Sequence, residues 1–156
     1  AHSQMLLTLA VKNCFGCVSS LRKALVHTRE GRTPELFADY LAGLWAALPP
    51  VAALVDGITA MHVTGPSQGE PFQLGLVGAS TSAVALDAAL CEVVGLTLAD
   101  TPLGAALIRR GACCEMSYPL CRPEDFDAQG FLLPANTEHL FPKLQQQPLF
   151  PLRSLR

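Results

Sequence analysis

The sequence predicts an α/β domain with a small mixed or parallel sheet flanked by helices and an extended, proline-rich C-terminal tail. Two short apolar runs, residues 51–56 and 73–79, are typical of buried strands. Capping signals precede stretches of helical periodicity on either side of these runs. The chain has 156 residues, which is enough for one domain that buries about 70% of its unfolded surface.

The first clear helix begins at Thr33-Pro34-Glu35. Threonine is a good N-cap, proline fits the first helical turn, and an acid is favourable near the positive end of the helix dipole. Apolar residues then recur at helical spacing until Pro49-Pro50 ends the helix. Earlier in the chain, residues 6–18 form an apolar run that fits a strand or a helix equally well.

The two predicted strands are separated by a glycine-containing loop, residues 62–71. A helix is predicted over residues 83–94, because hydroxyl side chains precede it and it is apolar almost all round. A short helix over residues 102–110 follows, with a threonine–proline start and a glycine stop.

The predicted organisation is an α/β core over residues 1–111 and an extended tail or linker over residues 112–156. Prolines and a run of glutamines replace the helical periodicity in this second part. Because the chain begins at Ala1 and runs almost at once into an apolar stretch, we expect the core to be a fragment of a larger domain.

Composition limits the classes of partner. Half of the residues are hydrophobic and 15% are charged, which predicts an apolar face covered by a partner subunit. The net charge of −2 leaves no basic stripe, so nucleic acid is not an expected partner. No apolar run reaches the ~18 residues that span a bilayer, so no membrane partner is expected. Six irregularly spaced cysteines are typical of a reducing compartment, and the predicted location is the cytoplasm.

Three charged residues, Asp56, Asp87 and Lys12, are the candidate catalytic groups. Asp56 follows the first predicted strand, and ligands of α/β sheets bind beyond the strand ends. Asp87 is the lone charge on an apolar stretch of helix, so its carboxylate needs hydrogen bonds or a cation, for which Lys12 is the obvious candidate. We expect these residues to lie within roughly 15 Å of one another, beside Asn13. The alternative is that Asp87 bonds a loop N–H and fixes the helix to the sheet.

Other side chains carry weaker signals. Cys14 and Cys17 form a C-x-x-C pair that suits a redox dithiol or half of a metal site, but an inert half-buried pair is the simpler interpretation. His62 fits a metal ligand, a proton shuttle or a solvated loop residue. Gly65 and Gly69 could present backbone N–H groups to an anion or simply form a turn.

A set of residues between positions 2 and 87 forms a recognisable pattern. The set consists of His2, Thr8, Ala10, Lys12-Asn13, Phe15-Gly16, Asp56-Gly57-Ile58, Met61, Gly65-Pro66, Gly69 and Val84-Ala85-Leu86-Asp87. In order and spacing it resembles domain-of-unknown-function family 362. The chain departs from the family pattern at His62, where the family usually has an acid, and at Thr81-Ser82, where it usually has an Asp-Pro step. Any chemistry that rests on those two family acids is in doubt here.

The resemblance implies a redox-linked protein, because members of this family often carry a ferredoxin-like module beside this domain. Asp56 and Asp87 would border a crevice for a small anionic ligand. No cofactor is expected in this chain, which lacks the C-x-x-C-x-x-C run of a ferredoxin cluster, and an iron–sulfur cluster would belong to the associated module. The rival hypothesis is a non-catalytic scaffold that docks that module or a partner subunit. The predicted ligand-binding residues are His2, Asn13, Gly16, Gly57, His62, Gly65, Pro66 and Gly69.

The first prediction is that the purified chain is colourless and contains no stoichiometric iron, because its cysteines lack cluster spacing. Elemental analysis after purification without chelators measures this directly. About one iron or zinc per chain would contradict the prediction and favour a site that includes Cys14, Cys17 and Cys121.

Overall fold

A computed structural model of the chain describes residues 1–50 and 52–134. This part contains five α-helices and one two-stranded sheet, which confirms the α/β class. The elements are α1 (Ala10–Asn13), α2 (Ser20–Arg29), α3 (Pro34–Ala47), β1 (Ala53–His62), β2 (Glu70–Ser80), α4 (Ala83–Val93) and α5 (Pro102–Arg109). Three 3₁₀ turns span Cys14–Cys17, Leu98–Asp100 and Pro123–Asp125.

The three helices predicted from their capping residues begin directly after those residues in the structure. Thr33, Ser82 and Thr101 precede α3, α4 and α5, and the side-chain oxygen of each accepts a hydrogen bond from the backbone N–H three residues on. These bonds satisfy N–H groups that have no partner inside the helix. The three predicted helices are therefore confirmed to within a residue or two at their ends.

The two strands pair antiparallel rather than parallel. Ala53 pairs with Ser80 and His62 with Glu70, and the register shifts between Gly57 and Thr59. The loop of residues 63–69 is too short for a parallel crossover, which needs a dozen residues or more. The strands are also longer than predicted, since an antiparallel ribbon with one solvent face tolerates polar residues along its length. Residue 51, the predicted start of the first strand, lies outside the described residues.

The core lies between α4 and the elements on either side of it. Leu86 and Leu90 of α4 pack with Leu76 on the inner face of the hairpin. The largest cluster joins α1, α3, α4 and α5, and includes Phe37 and Leu107. Because α4 contributes to both clusters, it is buried on more than one side, as its composition predicts.

The N-terminal region resolves the ambiguity of residues 6–18. His2 and Leu6 form an isolated bridge, and the chain then enters α1 and its 3₁₀ turn. The run is therefore neither one strand nor one long helix.

Helix α2 was not predicted from the sequence, and it has no buried residue. Its leucines face solvent, so it lacks the regular buried stripe that identifies a helix.

Residues 112–134 contain little regular structure but still contribute to the core. Ala128 and Phe131 are buried in a cluster with Leu6, and Phe126 packs against the same cluster. The boundary at residue 111 stays a prediction, and residues 135–156 of the predicted tail lie outside the described part. None of the described helices has the length and hydrophobicity needed to cross a bilayer.

Two leucines on α3 test this arrangement. Leu41 is 1% exposed and Leu36 is 45% exposed. We expect Leu41→Ala to lower the free energy of unfolding by about 2–5 kcal/mol, because it leaves a cavity between helices. Leu36→Ala is the matched control and should cost less than about 1 kcal/mol. Urea denaturation measures both, and equal losses would contradict the observed packing of α3.

Candidate functional site

Asp87 holds the N-terminal segment in place. It is buried on α4, and its carboxylate accepts hydrogen bonds from the backbone N–H groups of Ala10 (2.7 Å) and Val11 (3.2 Å). These groups belong to the first turn of α1, whose N-cap residue Leu9 offers no side-chain acceptor. Asp87 therefore caps α1 from a distant part of the chain.

The protonation of Asp87 reflects two opposing effects. Burial raises the pKa of its carboxyl to about 7, while the two N–H donors favour the ionised form and oppose that rise. Lys12 forms no ion pair with Asp87. The expectation that Lys12 neutralises Asp87 is thus not met, because two backbone donors occupy the carboxylate instead.

Lys12 is half-buried and lacks an acceptor. Its ammonium makes no hydrogen bond or ion pair with any described residue. Burial lowers its pKa, since no neighbouring carboxylate offsets the loss of hydration. Without a counter-ion, the ammonium of Lys12 has lost part of its hydration while its N–H donors stay free of protein acceptors.

The charge of Lys12 also acts on His2. Its Nδ1 accepts hydrogen bonds from the backbone N–H groups of Gln4 (3.2 Å) and Met5 (3.3 Å). Its pKa is lowered to about 4, chiefly by burial and then by the charges of Lys12, the N-terminal ammonium and His27. His2 is therefore a neutral imidazole at pH 7, with its proton on Nε2.

A groove with a cavity volume of ≈ 450 Å³ runs between β1 and the N-terminal segment. We call it the β1 groove. Four of the predicted site residues line it: Asn13, Asp56, Gly57 and Pro66. They come from three separate stretches of the chain, so the fold brings these four residues to one groove. Lys12, Asp87, His2, Gly16, His62, Gly65 and Gly69 do not line it.

Asp56 does not end a strand. It lies within β1, is exposed, and its Oδ1 accepts a hydrogen bond from the N–H of Ile58 (3.0 Å). The placement predicted from the Asp-Gly step is wrong, because the strand continues through that step in the antiparallel ribbon. Asp56 reaches the β1 groove from the outer part of the hairpin, whereas Asp87 is buried between α4 and α1.

The remaining loop candidates make structural contacts. The carbonyl of Gly65 accepts from the N–H of Ser3 (3.2 Å), and a Cβ at Gly65 would overlap the carbonyl of Ala1. A Cβ at Gly69 would overlap the backbone of the same loop. His62 accepts from the N–H of Leu132 at its Nδ1 (3.2 Å). These residues pack the hairpin loop against neighbouring segments, and Gly16 is exposed with open space around it.

Cys14 and Cys17 are free thiols on the 3₁₀ turn that follows α1. They therefore lie at the end of that short helix where its dipole disfavours a thiolate, and burial raises the pKa of Cys14. Among the described residues, no three His, Cys, Asp or Glu side chains come together as a metal site.

Some residues that build the site were not predicted as site residues from the sequence. The N–H groups of Ala10 and Val11 are backbone donors that any residue could supply. Thr8 and Phe131 line the β1 groove from segments whose positions depend on tertiary packing. Phe131 in particular lies in the region assigned to the tail, and only its burial distinguishes it.

The chain is similar to a known protein family and to a known protein. The family model described as "Domain of unknown function (DUF362)" matches residues 1–92. The relative is "Thylakoid-associated protein sll1697" of Synechocystis sp., which is 34% identical over 137 residues. The match covers 86% of this chain and 43% of the relative, so the chain spans less than half of that protein. No solved structure matches the chain.

The buried carboxylate predicts a specific pH dependence. The pKa of Asp87 in the folded protein, about 7, lies above its ordinary value of 3.8, so the folded state holds the proton more tightly than the unfolded state. The stability that Asp87 contributes is therefore fully present below about pH 4 and is lost as the pH rises to about 7. We expect the stability advantage of wild type over Asp87→Asn to shrink across this range by on the order of a few kcal/mol.

Urea denaturation at a series of pH values measures this difference. Asp56→Asn, which removes an exposed carboxylate, is the control for loss of an acidic charge. An advantage over Asp87→Asn that grows between pH 4 and pH 7 would show that the two N–H donors outweigh burial.

Proposed function

The chain belongs to domain-of-unknown-function family 362, and we propose that it is a small-ligand-binding domain of a redox-linked protein that works beside a ferredoxin-like module. The redox link rests on the ferredoxin-like module that members of the family often carry beside this domain. The iron–sulfur cluster is assigned to that module. The cytoplasm is the proposed location. The proposal concerns binding and assigns no reaction to this chain.

The observation that carries the proposal is Lys12, a half-buried cation without a counter-ion. Partial burial makes its charge costly in the free protein and strengthens its attraction for an anion, because less water screens the interaction. His2 is neutral at pH 7, so in this proposal the positive charge that attracts the anion comes from Lys12. The proposed ligand is therefore a small anion whose charged group contacts the Lys12 ammonium.

The β1 groove, which Lys12 itself does not line, is proposed to take the polar body of the ligand, so the ligand would have to reach from the groove to Lys12. Asn13 follows Lys12 directly on α1 and lines the groove, and its amide can donate to and accept from a polar ligand. Asp56 on the opposite wall can accept from a ligand hydroxyl or amine. A ligand with an anionic group and a polar body fits this combination, and Asp87 acts as a positioning residue through α1.

A scaffold role is the second candidate. The outer face of the hairpin exposes Leu54, Ile58 and Val77, with Leu54 76% exposed. Large apolar side chains on one face of a sheet are typical of a surface that another protein covers. In the full-length protein, bleaching of cluster absorbance on adding a reducible anion favours the ligand-binding role. Loss of module association in Leu54→Glu, with anion binding absent, favours the scaffold.

Lys12→Met should have two opposite effects. It should raise the free energy of unfolding of the free protein, because it removes an unpaired half-buried charge. It should also weaken the binding of inorganic phosphate, used as the minimal anionic probe, by about tenfold, the effect of losing roughly 1.4 kcal/mol. Thermal denaturation and a phosphate titration followed by NMR at the Lys12 and Asn13 amides measure the two effects.

Lys23→Met is the matched control, because Lys23 is also partly buried but lies over the Phe15 ring, 5.8 Å from its centroid. It should leave phosphate binding unchanged. Absence of saturable shifts in the wild type, or equal weakening in the two variants, would refute the anion site.

A further inference from the structure

Helix α2 presents an exposed apolar stripe to solvent. Its Val26 packs against the largest core cluster, and the ring of its His27 contacts the ring of Phe15, so one side of the helix is turned toward the protein. Leu21 and Leu25 lie one turn apart on the other side, and they are 88% and 52% exposed. The described part of the protein therefore leaves these two leucines largely uncovered.

Basic side chains border this stripe. Arg22 and Arg29 are exposed, and they lie three and four residues from Leu25, on neighbouring rows of the helix surface. Neither forms an ion pair within the described residues, although two arginines elsewhere do. Residues 20–32 contain four Lys or Arg residues and one acid, although the net charge of the whole chain is −2. Positive charge is therefore concentrated beside the exposed leucines.

Exposed leucines flanked by unpaired arginines complement the surface of an anionic bilayer. A helix of this kind lies in the plane of the interface, with its apolar side chains at the boundary of the acyl chains. We propose that the exposed face of α2 binds the surface of an anionic phospholipid membrane. Leu21 and Leu25 insert into the acyl boundary. Arg22 and Arg29 contact the lipid phosphates, which attract basic side chains near the surface.

Surface binding is distinct from membrane spanning. We expected no membrane partner because no apolar run is long enough to span a bilayer, but a helix that lies on the surface needs no such run. The remainder of the chain outside residues 20–32 is net acidic. An anionic surface would therefore attract the α2 side of the protein and repel the rest, which orients the molecule.

The size of the exposed face favours lipid over an acidic protein. Helix α2 has 10 residues, so it is about 15 Å long. Its exposed face is much smaller than the roughly 800 Å² that each partner buries in a standard protein interface. Shallow insertion into a bilayer needs no matching surface of that extent, because the fluid interface adapts to the helix.

Flotation of the full chain with vesicles tests the proposal. Vesicles of equal parts phosphatidylglycerol and phosphatidylcholine should carry the protein upward, and vesicles of phosphatidylcholine alone should carry much less. Added salt should weaken the binding, because the Debye length falls from about 10 Å at ~0.1 M to about 3 Å at ~1 M. Absence of binding to the anionic vesicles at low salt would refute the proposal.

A leucine variant tests the insertion. Leu21→Asp should weaken vesicle binding by about tenfold or more, since it replaces an inserted apolar side chain with an anion. Leu120→Asp is the matched control, because Leu120 is 94% exposed but lies on the segment that follows α5. It introduces the same charge and should bind nearly as wild type does. Equal weakening in the two variants would show that net charge, and not the α2 face, governs binding.

A pair of arginine variants tests the headgroup contacts. Arg22→Gln combined with Arg29→Gln should weaken binding by about thirtyfold, because each basic side chain at an anionic surface contributes about fivefold. Arg109→Gln combined with Arg122→Gln is the control, since it removes the same charge from two exposed ion pairs elsewhere. This control should bind vesicles nearly as wild type does, and an equal loss in both pairs would contradict the proposal.

Two further measurements separate α2 from other surfaces. Lys12→Met should leave vesicle binding unchanged, and loss of binding in that variant would place the lipid phosphate at Lys12 instead of α2. The Arg22→Gln and Arg29→Gln protein should still associate with the ferredoxin-like module. Loss of that association, with vesicle binding retained, would show that the α2 face is a protein contact and would overturn the lipid assignment.

Discussion

The bond between the Asp87 carboxylate and the first turn of α1 is the constraint on which the candidate site depends. It joins residues that are 76 and 77 positions apart and satisfies two N–H groups that would otherwise be without a protein acceptor. An unsatisfied buried donor costs about 1–3 kcal/mol, so α1 has a strong preference for this position. With α1 fixed, Asn13 is held on the wall of the β1 groove, and Lys12 directly precedes it on the same helix.

The hairpin forms the wall of the β1 groove that lies opposite α1. Its inner face packs on α4, which carries Asp87, and its first strand forms the other wall of the groove. A two-stranded ribbon is marginal by itself, so its position depends on packing against α4. The same helix therefore positions both walls, one through a carboxylate and the other through leucines.

Local signals allowed much of the fold to be predicted from the sequence. Thr33, Ser82 and Thr101 bond N–H groups only three residues away, so their helices could be located from the sequence alone. Antiparallel pairing, by contrast, depends on where the second strand returns, and an Asp-Gly step gives no information about that. The lone charge at position 87 showed that a partner was needed. It could not show that the partner was backbone, because every residue but proline carries the same N–H.

Asp87 and Lys12 differ in whether a protein group already binds their charged atoms. Asp87 is buried, and its carboxylate is already occupied by two donors, so a catalytic role would require breaking the contact that positions α1. Lys12 is only half-buried, and its ammonium is free of protein acceptors in the described structure. A group without a protein partner can bind a ligand without first losing a stabilising interaction. The sequence suggested that Asp87 and Lys12 act as a pair, but the structure separates their roles. Asp87 positions α1, and the ammonium of Lys12 is free to contact an anion.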